Sequence, residues 1–174
     1  MATLGDCIGM MDEGIGRLSD ALPELPVDKA KLSRLMLMVG GRLQEELEHT
    51  LKPHRLNHSE FLTLMILYSS PDGSSTPGEL CDYTSQGATN MTRIGNALVA
   101  RGLVVRSASE VDRRRVRIGI TPNGRRFVQK MLPTLFPRLS AMFDGFGEND
   151  RRQLGRLLRK LADNLDRLDE GTDR

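Results

Sequence analysis

Between Ser85 and Arg93 the chain places Gln86, Thr89, Asn90, Thr92 and Arg93 close together. These side chains match the edges of DNA bases. The amides of Asn and Gln pair with adenine, the arginine fork pairs with guanine, and a threonine methyl packs on thymine. Further along stand Asp112, Arg113, Arg114, Arg115 and Arg117, a cluster suited to phosphate. Residues 85–126 hold nine arginines against only Glu110 and Asp112, whereas residues 1–84 hold 13 acidic groups against seven basic ones. The positive field of this chain, whose net charge is only +2, is thus concentrated in one segment and carried there wholly by arginine. Arginine is the cation that meets phosphate or guanine with a planar, bidentate geometry. A solvated basic face would give the same charge count, so the elements that hold these residues must decide.

With 174 residues, 39% hydrophobic and 28% charged, the composition is that of one soluble globular domain able to bury its own core. The longest apolar stretches, Leu35–Val39 and Phe61–Tyr68, are too short to span a bilayer, so no membrane partner is expected. Asp6, Asp12 and Glu13 precede the first basic residue, Arg17, which is not the pattern of a secretory signal. Two cysteines, Cys7 and Cys81, imply no disulfide framework, and the expected location is the cytoplasm. His54 and His58 have helical spacing but sit beside Pro53 and Asn57 with no matching acidic or thiol ligand, so no metal is expected. Cys7 lies between Asp6 and Asp12, which disfavour a reactive thiolate. Gly14-Ile15-Gly16 lacks the third glycine of a dinucleotide loop, and no Ser/His/Asp spacing argues catalysis. Neither an enzyme nor a cofactor is expected.

The elements follow from period and punctuation. Residues 1–27, with Pro23 and Pro26 near their end, read as an arm outside the core. Asp28 is the expected N-cap of a long helix whose Leu32, Leu35, Val39, Leu43, Leu47 and Leu51 recur at three and four, with Pro53 ending it. A second helix is predicted from Ser59, then a turn-rich loop through residues 69–75. Thr76-Pro77-Gly78-Glu79 is a capping box with proline at the first helical position and opens a short third helix. A fourth helix is predicted over 85–101, closed by Gly102. Leu103–Arg106 and Arg115–Ile120 read as a β-hairpin. Thr121-Pro122 opens a fifth helix, which Pro133 and Pro137 are expected to bend or segment before Gly145 and Gly147 end it. The last helix, about Asn149–Leu168, carries Leu154, Leu158, Leu161, Leu165 and Leu168 as a heptad seam. That seam could pack within the chain or against a second copy.

On the fourth helix Met91, Ile94 and Leu98 fall on one side and Gln86, Thr89, Asn90 and Arg93 on the other. Two short helices joined by a tight turn, then an arginine-rich hairpin, describe a winged helix-turn-helix. Its second helix would enter the major groove and its wing would grip the backbone or the minor groove. The fold class expected is mainly α with a small β-hairpin wing.

Asp112-Arg113-Arg114, then five residues, then Ile120-Thr121 resembles the wing signature of MarR-family transcriptional regulators. Thr92-Arg93-Ile94, Leu98, Arg101-Gly102-Leu103 and Arg106 resemble their recognition helix running into the wing. The resemblance covers roughly residues 28–170. Ala88–Ile94 and Leu132-Pro133 are most similar to the EmrR-type subgroup, repressors of multidrug-efflux operons, although Ala88 stands where that subgroup carries arginine. The resemblance implies a six-helix, two-fold homodimer holding two winged domains over a pseudo-palindromic double-stranded DNA operator. It implies that Ser85, Gln86, Thr89, Asn90, Thr92, Arg93 and Asp112–Arg115 form the DNA-binding set, with Asp112 orienting Arg114. It also divides the chain into the arm (1–27), a helical dimerisation domain (28–56 and 122–170) and the winged domain (57–121).

The resemblance further implies release from DNA by small lipophilic or weakly acidic effectors near the junction of the two domains. Nine methionines in the chain fit such a pocket, because methionine adapts to many shapes, though they equally suit core filling. Met38, Arg42, Phe61 and Met65 are the expected apolar site with one cation. An activator of the same fold, or a helical dimer acting through protein partners, would carry the same sequence features.

Overall fold

The computed structural model describes residues 2–108 and 116–172. It divides into two compact units, Met1–Met131 and Leu132–Arg174. Along the chain run α1 (Leu4–Ala21), α2 (Val27–Leu51), a 3-10 turn (Lys52–His54), α3 (His58–Ser69), β1 (Ser74–Ser75), α4 (Pro77–Thr84) and α5 (Ala88–Ala100). Then come β2 (Val104–Ala108), β3 (Val116–Ile120), α6 (Pro122–Ala141) and α7 (Glu148–Thr172). The described residues thus form seven α-helices rather than six, because the arm is itself helical. A Thr3–Asp6 capping box starts α1, and Leu4, Cys7, Ile8, Met11 and Ile15 form a half-buried stripe on it. None of its described residues is fully buried. It packs on α2, where Lys31 meets Asp12 at 3.3 Å.

Several expected boundaries move. α2 begins at Val27 behind Pro26 with no side-chain cap, so Asp28 lies in the first turn, where its charge complements the helix dipole. α3 begins at His58, capped by Asn57, whose side chain accepts from the Glu60 N–H while Glu60 accepts from the Asn57 N–H. Pro133 and Pro137 lie inside α6 without dividing it, and the helix ends at Ala141, ahead of the two glycines.

The strands form one antiparallel sheet in the order β1-β3-β2. Val104 pairs with Ile120 and Ala108 with Val116, while Ser74 and Ser75 pair with Gly119 and Ile118 on the other side. The core of the first unit is Leu51, Leu56, Leu64, Leu67, Leu80, Met91, Ile94, Leu98, Leu103, Val104, Ile118, Val128 and Met131. Each such side chain contributes roughly 1.5–3 kcal/mol by leaving water. Leu80, Ile94, Leu98 and Ile118 bring α4, α5 and β3 into one packed body. In the second unit Leu135 is the one buried side chain among the described residues, and Leu154, Leu158, Leu165 and Leu168 are 37–67% exposed. No helix among the described residues is long and apolar enough to cross a membrane.

Candidate nucleic-acid interface

The helix-turn-helix begins at Thr76, whose hydroxyl accepts from the Glu79 N–H while Glu79 accepts from the Thr76 N–H at 2.8 Å. Glu79 also accepts from the Ser75 hydroxyl at 2.7 Å. These bonds, the Thr76 N–H foremost, hold the Glu79 carboxyl below the usual carboxylate range. α4 closes at Ser85, which takes the left-handed conformation at φ 51°. Its N–H reaches the Asp82 carbonyl and that of Gln86 reaches the Cys81 carbonyl at 3.1 Å, so the chain reverses in three residues before α5. The expected start of the recognition helix therefore shifts: Ser85 and Gln86 form the turn, and Gly87 is the N-cap.

α5 presents the two faces expected of it. Met91, Ile94 and Leu98 are at most 1% exposed, Thr89, Thr92 and Arg93 are exposed, and Asn90 is half-buried. No acidic residue occurs from Ser85 to Ala108. Gln86, Asn90 and Arg93 are joined to one another. The Gln86 amide nitrogen donates to the Thr84 carbonyl at 3.2 Å, and the Asn90 amide nitrogen donates to the Gln86 side-chain oxygen. Arg93 then donates to Asn90 Oδ1 from Nε at 3.1 Å and from Nη2 at 3.0 Å. Thr92, which is exposed, donates its hydroxyl back to the Ala88 carbonyl at 2.9 Å.

Gly102, at φ 65°, turns the chain from α5 into β2, and a residue with a Cβ would be strained there. Arg101 anchors the end of α5, donating to the carbonyls of Arg55 at 2.6 Å and His54 at 3.0 Å and lying over the Phe127 ring. Arg106 on β2 is exposed and donates from Nη2 to the Thr92 carbonyl at 3.3 Å, which adds a cation beside the polar face of α5. A Cβ at Gly95 would stand 2.9 Å from Arg106 Nη2, so the arginine tip would have to shift to admit one. The sequence reading did not count Arg106 among the DNA-binding residues. The pairing of a helical glycine with a strand arginine was the available signal.

The β2–β3 hairpin stands where the wing was expected. Asp112, Arg113, Arg114 and Arg115 lie outside the described residues. Arg117, grouped with them in sequence, engages β1 instead, with Nη2 2.7 Å from Asp72 Oδ2 and Nε 2.9 Å from the Ser74 hydroxyl. The Asp72 carboxyl is held below its ordinary range, chiefly by the Ser74 N–H and then by the Ser70 hydroxyl, with Arg117 adding to the effect.

Of the residues expected to hold an effector, Met38 and Arg42 lie one turn apart on α2, and Phe61 and Met65 one turn apart on α3. Met38, Phe61 and Met65 are half-buried. Arg42 is exposed and already paired, with Glu45 at 3.2 Å and Glu46 at 2.5 Å. An open groove of about 660 Å³ lies elsewhere in this unit, lined by Ile66, Asp72, Glu79, Tyr83 and Arg117 among others.

Comparison with known proteins places these features. Residues 55–115 match the model described as MarR family. The transcriptional repressor MprA of Escherichia coli K12 is 29% identical over 147 residues, 84% of this chain and 84% of MprA. Two solved structures share the fold. BpsR of Bordetella bronchiseptica, from a study of how 6-hydroxynicotinic acid regulates its DNA binding, is 24% identical with a TM-score of 0.66, over 75% of this chain and 92% of BpsR. The DNA complex of MepR from Staphylococcus aureus is 18% identical with a TM-score of 0.67, over 76% of this chain and 96% of MepR.

Proposed function

We propose that the chain is a MarR-family regulator, a homodimeric, non-enzymatic transcriptional repressor in the cytoplasm, which leaves a pseudo-palindromic operator when a small lipophilic or weakly acidic effector binds. The observation that carries this reading is the polar face of α5, free of carboxylates and flanked by Arg93 and Arg106, on a helix whose other face is buried. Such a face suits a major groove lined with acceptors and phosphates. The cations at Arg113, Arg114 and Arg115 complete the surface as backbone contacts, with Asp112 aligning Arg114. Thr89 and Thr92 on the reading helix, with Ser85 and Gln86 in the turn before it, belong to the same surface. A second copy would cover the leucine seam of α7, so residues 28–56 and 122–170 would form the dimer and residues 57–121 the winged domain. Two-fold symmetry would then set the recognition helices about one DNA turn, on the order of 34 Å, apart.

The repressor MprA, similar over most of its length, supports repression, and an efflux or detoxification operon is the target that likeness favours. Effector control draws support from BpsR, whose DNA binding responds to 6-hydroxynicotinic acid. The proposed effector site is Met38, Arg42, Phe61 and Met65. An effector that favours dimers with mismatched helix spacing would release DNA by population shift.

The decisive measurement is fluorescence anisotropy on duplex DNA from upstream of the gene, between 50 and 200 mM salt as rough working limits. Log affinity should fall linearly with log salt, with a slope near −0.9 for each phosphate neutralised. A panel of hydrophobic weak acids, starting with 6-hydroxynicotinic acid, should release the DNA, and Phe61→Ala with Met65→Ala should blunt that release. Affinity indifferent to salt would overturn the DNA reading. Undiminished release from the double variant would overturn the effector site alone.

A further inference from the structure

We infer that Arg93 is the guanine-reading fork of each half-site and that Asn90 is its positioning residue rather than an independent reader of adenine. The inference rests on the DNA-binding reading above and deepens it. The hydrogen bonds around α5 have a direction that begins at the backbone. The Thr84 carbonyl can only accept, so the Gln86 group that meets it is the amide nitrogen, and the Gln86 oxygen faces the other way. That oxygen takes the Asn90 nitrogen, which turns Asn90 Oδ1 toward Arg93. Nε and Nη2 of Arg93 close the chain on that oxygen. One backbone carbonyl thereby sets the orientation of three side chains.

Asn90 Oδ1 already accepts two N–H groups from Arg93, one for each lone pair, so the bidentate pairing with adenine, which needs that oxygen to accept from N6, would require displacing Arg93. Arg93 is different. A guanidinium has five N–H groups, and the two directed at Asn90 leave both on Nη1 and one on Nη2. Among the described residues no contact engages these three. The outer pair, one from each terminal nitrogen, forms the planar fork that fits guanine O6 and N7. The group aiming the arginine is a neutral amide, not a carboxylate. It orients the guanidinium without cancelling the charge that draws it to DNA, and it lowers the ordering cost of binding by holding the side chain in place beforehand.

The test is selection by the full-length protein of duplexes from a pool with a randomised 20-base-pair centre (about two DNA turns), followed by affinity measurements on the winning duplex and its single-base variants. The wild type should select one dominant G·C position in each half-site. Arg93→Ala should reduce discrimination there by about tenfold or more. Asn90→Ala should weaken discrimination at that same position, and adding it to Arg93→Ala should change discrimination less than twofold. Asn90→Asp, which keeps the acceptor, should retain the guanine preference even though its charge weakens binding overall. Thermal melting of each variant checks that α5 is intact. The inference is overturned if Asn90→Ala abolishes an adenine preference at another position while guanine selection persists, or if the two alanine effects simply add. A wild type that retains no duplex would overturn the DNA-binding reading itself, and this inference with it.

Discussion

The two units of the molecule bury their leucines very differently. In the first, Leu51, Leu64, Leu67, Leu80 and Leu98 are fully buried, and the polar face of α5 rides on that packed body. In the second, the leucines of α7 recur at the same helical spacing, yet Leu158 and Leu165 stay 47% and 53% exposed. Equal periodicity therefore leads to unequal burial. A stripe of this kind is a core only where other elements supply the opposite wall, and on α7 that wall is the second copy proposed above. Under the proposed function the packed first unit would hold the reading surface, and the exposed leucines of the second would bring two such surfaces together.

The largest expected effect tests the second half of that contrast. Leu158→Glu combined with Leu165→Glu would put charges into the proposed dimer seam, and a charge removed from water without a partner is strongly unfavourable. Sedimentation at micromolar concentration should show the dimer replaced by monomer, and operator binding should fall with it. A variant that remains dimeric would mean that α7 does not form the seam. The next effect probes the first unit. Leu98→Ala, at a site with no exposure, should cost about 2–5 kcal/mol in urea unfolding. A cost as small as that of an exposed α7 leucine in the monomer would erase the distinction between the units.

The smallest effect comes from pH. Glu79 and Asp72 are both held below their ordinary range by hydrogen bonds made only in the folded state. Their stabilisation should be fully present above the normal carboxylate range, near pH 4, and be lost as pH falls through their lowered values. The stability gap between wild type and Glu79→Gln, and likewise Asp72→Asn, should therefore shrink below about pH 4. A gap unchanged down to the acid transition would show that the carboxylate charge is not what these contacts require.

Much of this architecture follows from local chemistry. Thr76-Pro77-Gly78-Glu79 opens α4 because a capping box satisfies its own backbone within four residues. Met91, Ile94 and Leu98 face inward because the helical period leaves them no other side once that face is covered. The pairing of β2 with β3 is equally local, its β-branched runs being neighbours in sequence. The arm was harder to read as a helix, since four glycines interrupt the apolar stripe of α1.

Other features depend on groups far apart in the chain. Ser74 and Ser75 have the composition of a loop and become a strand only because β3 offers them hydrogen bonds. Arg117 belongs by sequence to a run of phosphate-seeking arginines, yet Asp72, 45 residues away, draws it to β1. Ser85 leaves the helix because the chain must reverse between two packed helices. Residue types and spacing thus determined by themselves most of the segments that coil and which side of α5 faces water, since caps and periods act over a few residues. Tertiary structure alone decided which arginines are left for a partner and which are held internally, because that choice depends on acceptors that meet only when distant segments fold together.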